Sequence, residues 1–157
     1  MSSTAKHFWA EFLDANPDID TATPYQVWYF SNTSESAREL ASLVLAGKKI
    51  ATASLKAVNE VEPEKAPVDG GYSLVTNFEG EPVCVVQTTE VRHIPFDDVD
   101  AEFAFDEGEG DQTLENWRKT HWEYFSREAL QFRVEFGGSS MICCERFRLL
   151  YPGSAGR

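Results

Sequence analysis

Gly47-Lys48-Lys49-Ile50-Ala51-Thr52-Ala53-Ser54 is the stretch on which the fold turns. A helical pattern enters it and a strand pattern leaves it. From Glu35 to Ala46, Ala37, Leu40, Leu43 and Val44 share one helical face, after turn and N-cap chemistry at Ser31 to Ser34. Gly47 stands where a left-handed C-terminal cap is wanted. From Ile50 to Leu55 the period drops to two, with Ile50, Thr52 and Ser54 on one face. So tight a helix-to-strand turn places the Lys49 ammonium and the Thr52 hydroxyl near each other at the mouth of a sheet. A lysine whose pKa is lowered by partial burial can take the hydroxyl proton of a threonine, with a nearby carboxylate as general acid or base. That chemistry requires both groups to open onto one pocket.

Outward from this turn, the chain alternates irregularly between strand and helix patterns. Lys6 to Ala15 reads as an amphipathic helix ended by Asn16-Pro17-Asp18, and Tyr25 to Phe30 as a short aromatic extended run. Val58 to Gly71, acidic and broken by Pro63, Pro67 and Gly70-Gly71, reads as a long exposed loop. Tyr72 to Phe78 and Val83 to His93 form the clearest hairpin, with Pro95 ending its second strand. Phe96 to Phe105 suggests a short helix, followed by the acidic loop Asp106 to Asp111. Thr113 then caps a long helix to about Ser126 whose inner stripe is Leu114, Trp117, His121, Trp122 and Phe125. Gln131 to Phe136 and Met141 to Leu150 read as closing strands. Strands interrupted by helices without regular alternation predict an α+β fold around a mixed or antiparallel β-barrel with flanking helices. The expected division is an N-terminal helix and lead-in over 1–24, one domain over 25–151 and a loose tail over 152–157.

Composition narrows the function classes. The chain has 157 residues, enough for one cored domain, and a formal net charge of −12. That charge opposes binding modes that rely on broad phosphate neutralisation, and DNA is not an expected partner. Cys84, Cys143 and Cys144 have no C-x-x-C spacing, and the histidines are scattered. Reduced, buried thiols in a cytoplasmic protein are expected rather than disulfides or a metal site. Neither a signal peptide nor a membrane-spanning stretch is visible.

Gly47-x-Lys49-x-x-Thr52 matches the G-x-K-x-x-T signature of ASCH domains. Trp28, the Glu107-Gly108-Glu109-Gly110-Asp111 loop, Leu114…Trp117-Arg118…His121 and the strand ending Cys144-Glu145-Arg146-Phe147 also agree with the bacterial branch of that family. The chain therefore resembles an ASCH domain from roughly Val27 to Leu150. The resemblance implies a PUA-like barrel with a cleft beside the Gly-Lys-Thr turn that takes RNA or a modified nucleoside, with no cofactor. It also implies one of two activities: hydrolysis of the amide of an acetylated cytidine-type nucleoside, or cleavage of single-stranded RNA. A non-catalytic RNA-binding or interaction module is the third reading. In the amidohydrolase version Lys49 activates Thr52, and Glu109, or alternatively Glu107, shuttles the proton. Gly47, Ser54, Glu107, Arg118 and Trp28 are the further residues expected to border the ligand. One departure stands out: family members often carry arginine two positions after the threonine, where this chain has Ser54, so Arg118 or Arg92 would have to supply that charge.

Blander roles compete at several of these positions. Acidic loops are usually solvated. Trp117, Trp122 and Phe125 at helical spacing are expected in the core, and His121 beside them is expected to be a structural, hydrogen-bonded histidine.

Overall fold

The computed structural model describes residues 3–152; the tail expected to be loose lies outside the described residues beyond Pro152. Five strands form one mixed sheet: β1 (Tyr25–Trp28), β2 (Ala51–Leu55), β3 (Tyr72–Thr76), β4 (Pro82–Pro95) and β5 (Met141–Tyr151). Their order is β1-β3-β4-β5-β2, with β1 parallel to β3 and every other pair antiparallel. The helices are α1 (Ser3–Ala15), α2 (Ser34–Leu45), α3 (Lys56–Val61), α4 (Ala101–Glu107) and α5 (Leu114–Phe132).

The sheet is open, which corrects the expected barrel. Its register shifts at Val85/Val86 and Thr88/Glu90 between β4 and β5, and at Val75/Thr76 between β3 and β4. Irregularities of this kind bend strands and increase twist. The edge strands β1 and β2 nevertheless have only 4 and 5 residues and do not pair. Both edges instead border a single cleft, described below.

Alternation along the hairpin explains why both faces are covered. Leu74 and Val85 pack against Ala5, Trp9 and Phe12 of α1, whereas Val75, Cys84 and Val86 pack with Val44 of α2, Phe30 and Phe147. A third cluster joins β2 and β5 to α4 and α5 through Leu55, Ile142, Phe103, Trp117 and Phe125. Burial pushes the Cys84 and Cys144 thiols up to about 12 and Cys143 to about 11, so all three are unreactive at neutral pH.

Three further expectations need correction. Part of the supposed loop 58–71 is α3, followed by a 3-10 turn at Pro63–Lys65; acidity does not break a helix, and the break comes at Pro63. The strand expected over Gln131 to Phe136 is absent, because α5 runs on to Phe132 and ends in a left-handed cap at Arg133. Arg127-Glu128-Ala129-Leu130 are all good helix formers, so nothing stops the helix at Ser126. Trp122 is 45% exposed rather than core; the inner stripe of α5 is Trp117, His121, Phe125 and Ala129, at fourfold spacing.

Candidate functional site

The turn that carries Lys49 is built as its residues dictate. Thr33 caps α2 by accepting from the Ser36 amide. Gly47 adopts φ +77°, and the amides of Lys48 and Lys49 both return to the Leu43 carbonyl. Against this turn lies the end of α4. Gly108 also has positive φ, and a Cβ there would come within 2.4 Å of the Lys48 carbonyl oxygen. Only glycine permits the approach. The Ile50 amide closes the junction by donating to Asp106 O at 2.9 Å.

Lys49 is consequently sealed, with its side chain 0% exposed. Its Nζ donates to Ala51 O at 2.8 Å, Glu107 Oε1 at 2.9 Å and Glu109 Oε2 at 2.6 Å, with Glu107 O at 3.3 Å. Every group around the nitrogen is an acceptor, which only an ammonium satisfies. Burial would lower the Lys49 pKa, but the two carboxylates outweigh it and the pKa is raised. The expected lysine of lowered pKa is therefore corrected: a nitrogen that donates to this many oxygens is a fixed cation and has no lone pair for a proton.

Glu107 is the hub of this network. Its Oε2 accepts from Trp117 Nε1 at 2.7 Å and lies 3.3 Å from His121 Nε2. His121 Nδ1 lies 2.9 Å from the Trp117 carbonyl oxygen, an acceptor, so Nδ1 donates. With acceptors at both ring nitrogens the imidazolium is favoured, and the His121 pKa is raised in spite of burial, chiefly through Glu107. Burial alone would raise the Glu107 pKa, yet Lys49 and His121 hold it well below the usual carboxylate range. Glu109 is raised by burial and by its neighbour Glu107, against the pull of Lys49. Two cations thus face two carboxyl groups. Glu107, Glu109 and His121 have ligand atoms within 4.8 Å of one another, but Lys49 already occupies the cationic position between the carboxylates, and both Glu107 oxygens are already bonded.

Two recesses adjoin this network. The smaller, about 370 Å³, is bordered by Glu109, Gly110, Trp117 and His121 together with Glu39 and Ser36. The larger, about 850 Å³, is the cleft between the edges of the sheet, with Trp28 and Tyr29 from the β1 side and Thr52, Ser54 and Glu145 from the β2 side. Phe30 lines this cleft while its ring centroid lies 5.3 Å from Lys49 Nζ.

The expected constellation is thereby divided. Lys49 is brought to Glu107 and Glu109, whereas Thr52, Ser54 and Trp28 line the larger cleft. Among the described residues no hydrogen bond joins Lys49 to Thr52, and Lys49 borders neither recess. The pocket common to both, expected from the tight turn, is corrected by the inward path that the two carboxylates impose on the lysine. Ser54 Oγ accepts from Asn59 Nδ2 at 2.9 Å. Arg118 is engaged elsewhere, donating to Asp97 O at 2.9 Å, and neither it nor Arg92 lines either recess. Gly47 caps α2 without lining either recess.

Glu145 enters only as part of the family motif and not as an expected site residue, whereas Trp117 and His121 are buried and hydrogen-bonded as expected and in addition hold Glu107. The signal for Glu145 was a lone acid inside the apolar run of β5. For Trp117 and His121 there was only their helical phase, which reads equally as core.

A family model of the ASCH domain matches residues 26–151. This chain belongs to the ASCH domain family. Its fold is PUA-like, and ASCH domains in general are associated with RNA binding. Among solved structures, an ASCH domain from Lactobacillus crispatus JV V101 superposes with a TM-score of 0.86 at 29% identity, over 96% of each chain. The protein EF3133 of Enterococcus faecalis V583 superposes with a TM-score of 0.85 at 29% identity, over 100% of this chain and 98% of that one. The hypothetical protein PH0355, at 13% identity and a TM-score of 0.52, shares the fold alone. No curated protein matches this ASCH domain by sequence. Among its described residues no helix is long and apolar enough to cross a membrane.

Proposed function

We propose that this ASCH domain binds a modified, weakly charged nucleoside in the larger cleft. The observation that carries this reading is the cleft's composition: aromatic Trp28 and Tyr29 on one side, and the Thr52 hydroxyl and Glu145 carboxyl on the other, in about 850 Å³. Aromatic side chains stack on bases, and the polar groups opposite supply hydrogen-bond partners. The carboxyl and amine side chains of the lining are Glu62, Lys65, Glu79, Glu81, Glu128 and Glu145, five acids against one base. Such a rim disfavours a string of phosphates and tolerates an uncharged nucleoside.

Hydrolysis of an acetylated amine on such a nucleoside is the enzymatic extension. Thr52 Oγ1 would attack the acyl carbon, the C–N bond would break as the amine leaves with the proton that the hydroxyl gave up, and water would cleave the resulting threonine ester, restoring the hydroxyl and releasing the acid. The Lys49 network would contribute fixed charge and hold the turn that presents Thr52, with Glu109 as its most accessible carboxyl.

A thermal-shift series over nucleosides, acetylated nucleosides, nucleoside monophosphates and short single-stranded RNAs tests the binding reading. The expected order places neutral nucleosides above their phosphates and above RNA. Absence of any nucleoside shift defeats it, and a larger shift with RNA favours the ribonuclease or RNA-binding reading instead. Turnover of an acetylated nucleoside is expected to vanish in Thr52→Val; unchanged turnover there removes the hydrolytic extension.

A further inference from the structure

Glu145 is the only acidic residue of β5. It lies directly opposite Thr52 on β2 and Val91 on β4. The residue is 6% exposed and lines the larger cleft. Thr88 Oγ1 donates to its Oε2, and among the described residues that is the one hydrogen bond its carboxyl receives; no cation pairs with it. No sealed side-chain oxygen lacks a partner among those residues. The second carboxyl oxygen is therefore not sealed, on a residue that lines the cleft. A carboxyl held this way, half satisfied by the protein and half left open, is an incomplete hydrogen-bonding unit.

We infer that Glu145 is the residue that reads the ligand in this cleft, giving one hydrogen bond from its free carboxyl oxygen to an uncharged acceptor on the base. This rests on the nucleoside reading above and specifies which chemical feature is recognised. A neutral carboxyl offers one O–H donor beside one carbonyl acceptor. With Oε2 accepting from Thr88, the O–H is the group left for the cleft, and the ring nitrogen or carbonyl oxygen of cytidine presents its complement. The carboxylate form offers acceptors alone and loses that match.

The surroundings favour the neutral form. Burial pushes the Glu145 pKa up to about 7, against the opposing effects of the Thr88 hydrogen bond and the Lys49 charge. The other titratable groups nearby are Cys143 on β5 itself, pushed up to about 11, and Tyr124 and Glu128 of α5, which line the same cleft. Tyr124 is pushed up to about 12. Glu128, raised by burial, shares the cleft with Glu145, while Glu109 and His121, both also raised, lie in the Lys49 network beside it.

Calorimetric binding of cytidine and of its amine-acetylated derivative at about pH 6 and about pH 8.5 tests the inference, since both probes stay uncharged there. With a pKa of about 7 and only the neutral form binding, affinity is expected to fall about 30-fold between the two conditions. Glu145→Gln keeps one donor and one acceptor, so it should bind at both pH values without the fall. Glu145→Leu should lose binding, and Glu128→Gln should retain the fall. Carbon-13 NMR of the wild-type carboxyls adds a readout that depends on no ligand and no variant: Glu145 should titrate near neutrality. A Glu145 resonance that titrates as an ordinary carboxylate overturns the inference. So does pH-independent wild-type binding, or a pH fall that survives in Glu145→Gln. Wild-type binding that persists in Glu145→Leu defeats it while leaving the nucleoside reading intact. Failure of both probes to bind wild-type protein at either pH defeats the nucleoside reading, and this one with it.

Discussion

Lys49 and Glu145 are both buried polar residues of one small domain, and their surroundings drive them in opposite directions. Around Lys49 the carboxylates of Glu107 and Glu109 stabilise charge; around Glu145 burial resists it, and the one hydroxyl that donates to the carboxyl does not offset that. Removal of one partner from a buried ion pair leaves the other uncompensated. Lys49→Met is expected to lower stability by about 3–5 kcal/mol in urea denaturation at neutral pH. The contribution of Glu107, whose pKa is depressed in the fold, is present at neutral pH and is lost as pH falls through the folded value. Glu145 has the reverse sign. Its pKa is raised from 4.5 to about 7, so the folded state holds its proton more tightly than the unfolded chain. The associated stability is present below the unfolded value and lost as pH rises to the folded one. Glu145→Gln should therefore gain on wild type by on the order of 3 kcal/mol across that window, measured by urea denaturation at stepped pH. Equal slopes in the two proteins would mean that Glu145 is charged in the fold.

Among the elements, the junction between α2, β2 and the end of α4 sets where Lys49 goes. Gly108 combines φ +70° with a Cβ position 2.4 Å from Lys48 O. Gly108→Ala should thus be destabilised by about 2 kcal/mol or more, combining backbone strain with a clash against main chain that cannot swing aside. Gly47 has φ +77° but open space around its Cβ position, so Gly47→Ala carries the conformational strain alone, about 1 kcal/mol. Thermal denaturation of the pair should rank Gly108→Ala below Gly47→Ala. The reverse ranking would mean that α4 does not press on the turn.

For the whole molecule, the decisive feature is a sheet that bends without closing, leaving β1 and β2 on either side of a cleft. Its acidic rim is part of a chain whose net charge is −12. Fluorescence anisotropy with a short single-stranded RNA should accordingly show no saturable binding at about 0.15 M salt, and little gain when the salt is lowered. Tight, steeply salt-dependent binding would identify a phosphate path that the cleft's rim does not supply.

Much of this architecture was legible in the residues themselves, because its signals act between near neighbours. Thr33 and Thr113 cap the helices they precede, Gly47 takes its left-handed turn, and the alternation of Tyr72 to Thr76 makes a strand buried on both faces. The G-x-K-x-x-T motif placed the chain in its family. Tertiary structure alone decided where the charged groups meet. Glu107 and Lys49 are 58 positions apart, and no local rule says that one acid of the acidic loop will be sealed against that lysine while Thr52 turns toward Glu145. Closure of the sheet was equally out of reach, since it depends on the accumulated bend of every strand pair and on whether two short edges happen to meet. Periodicity reports which face of an element is apolar; it carries no information about which distant element that face will find.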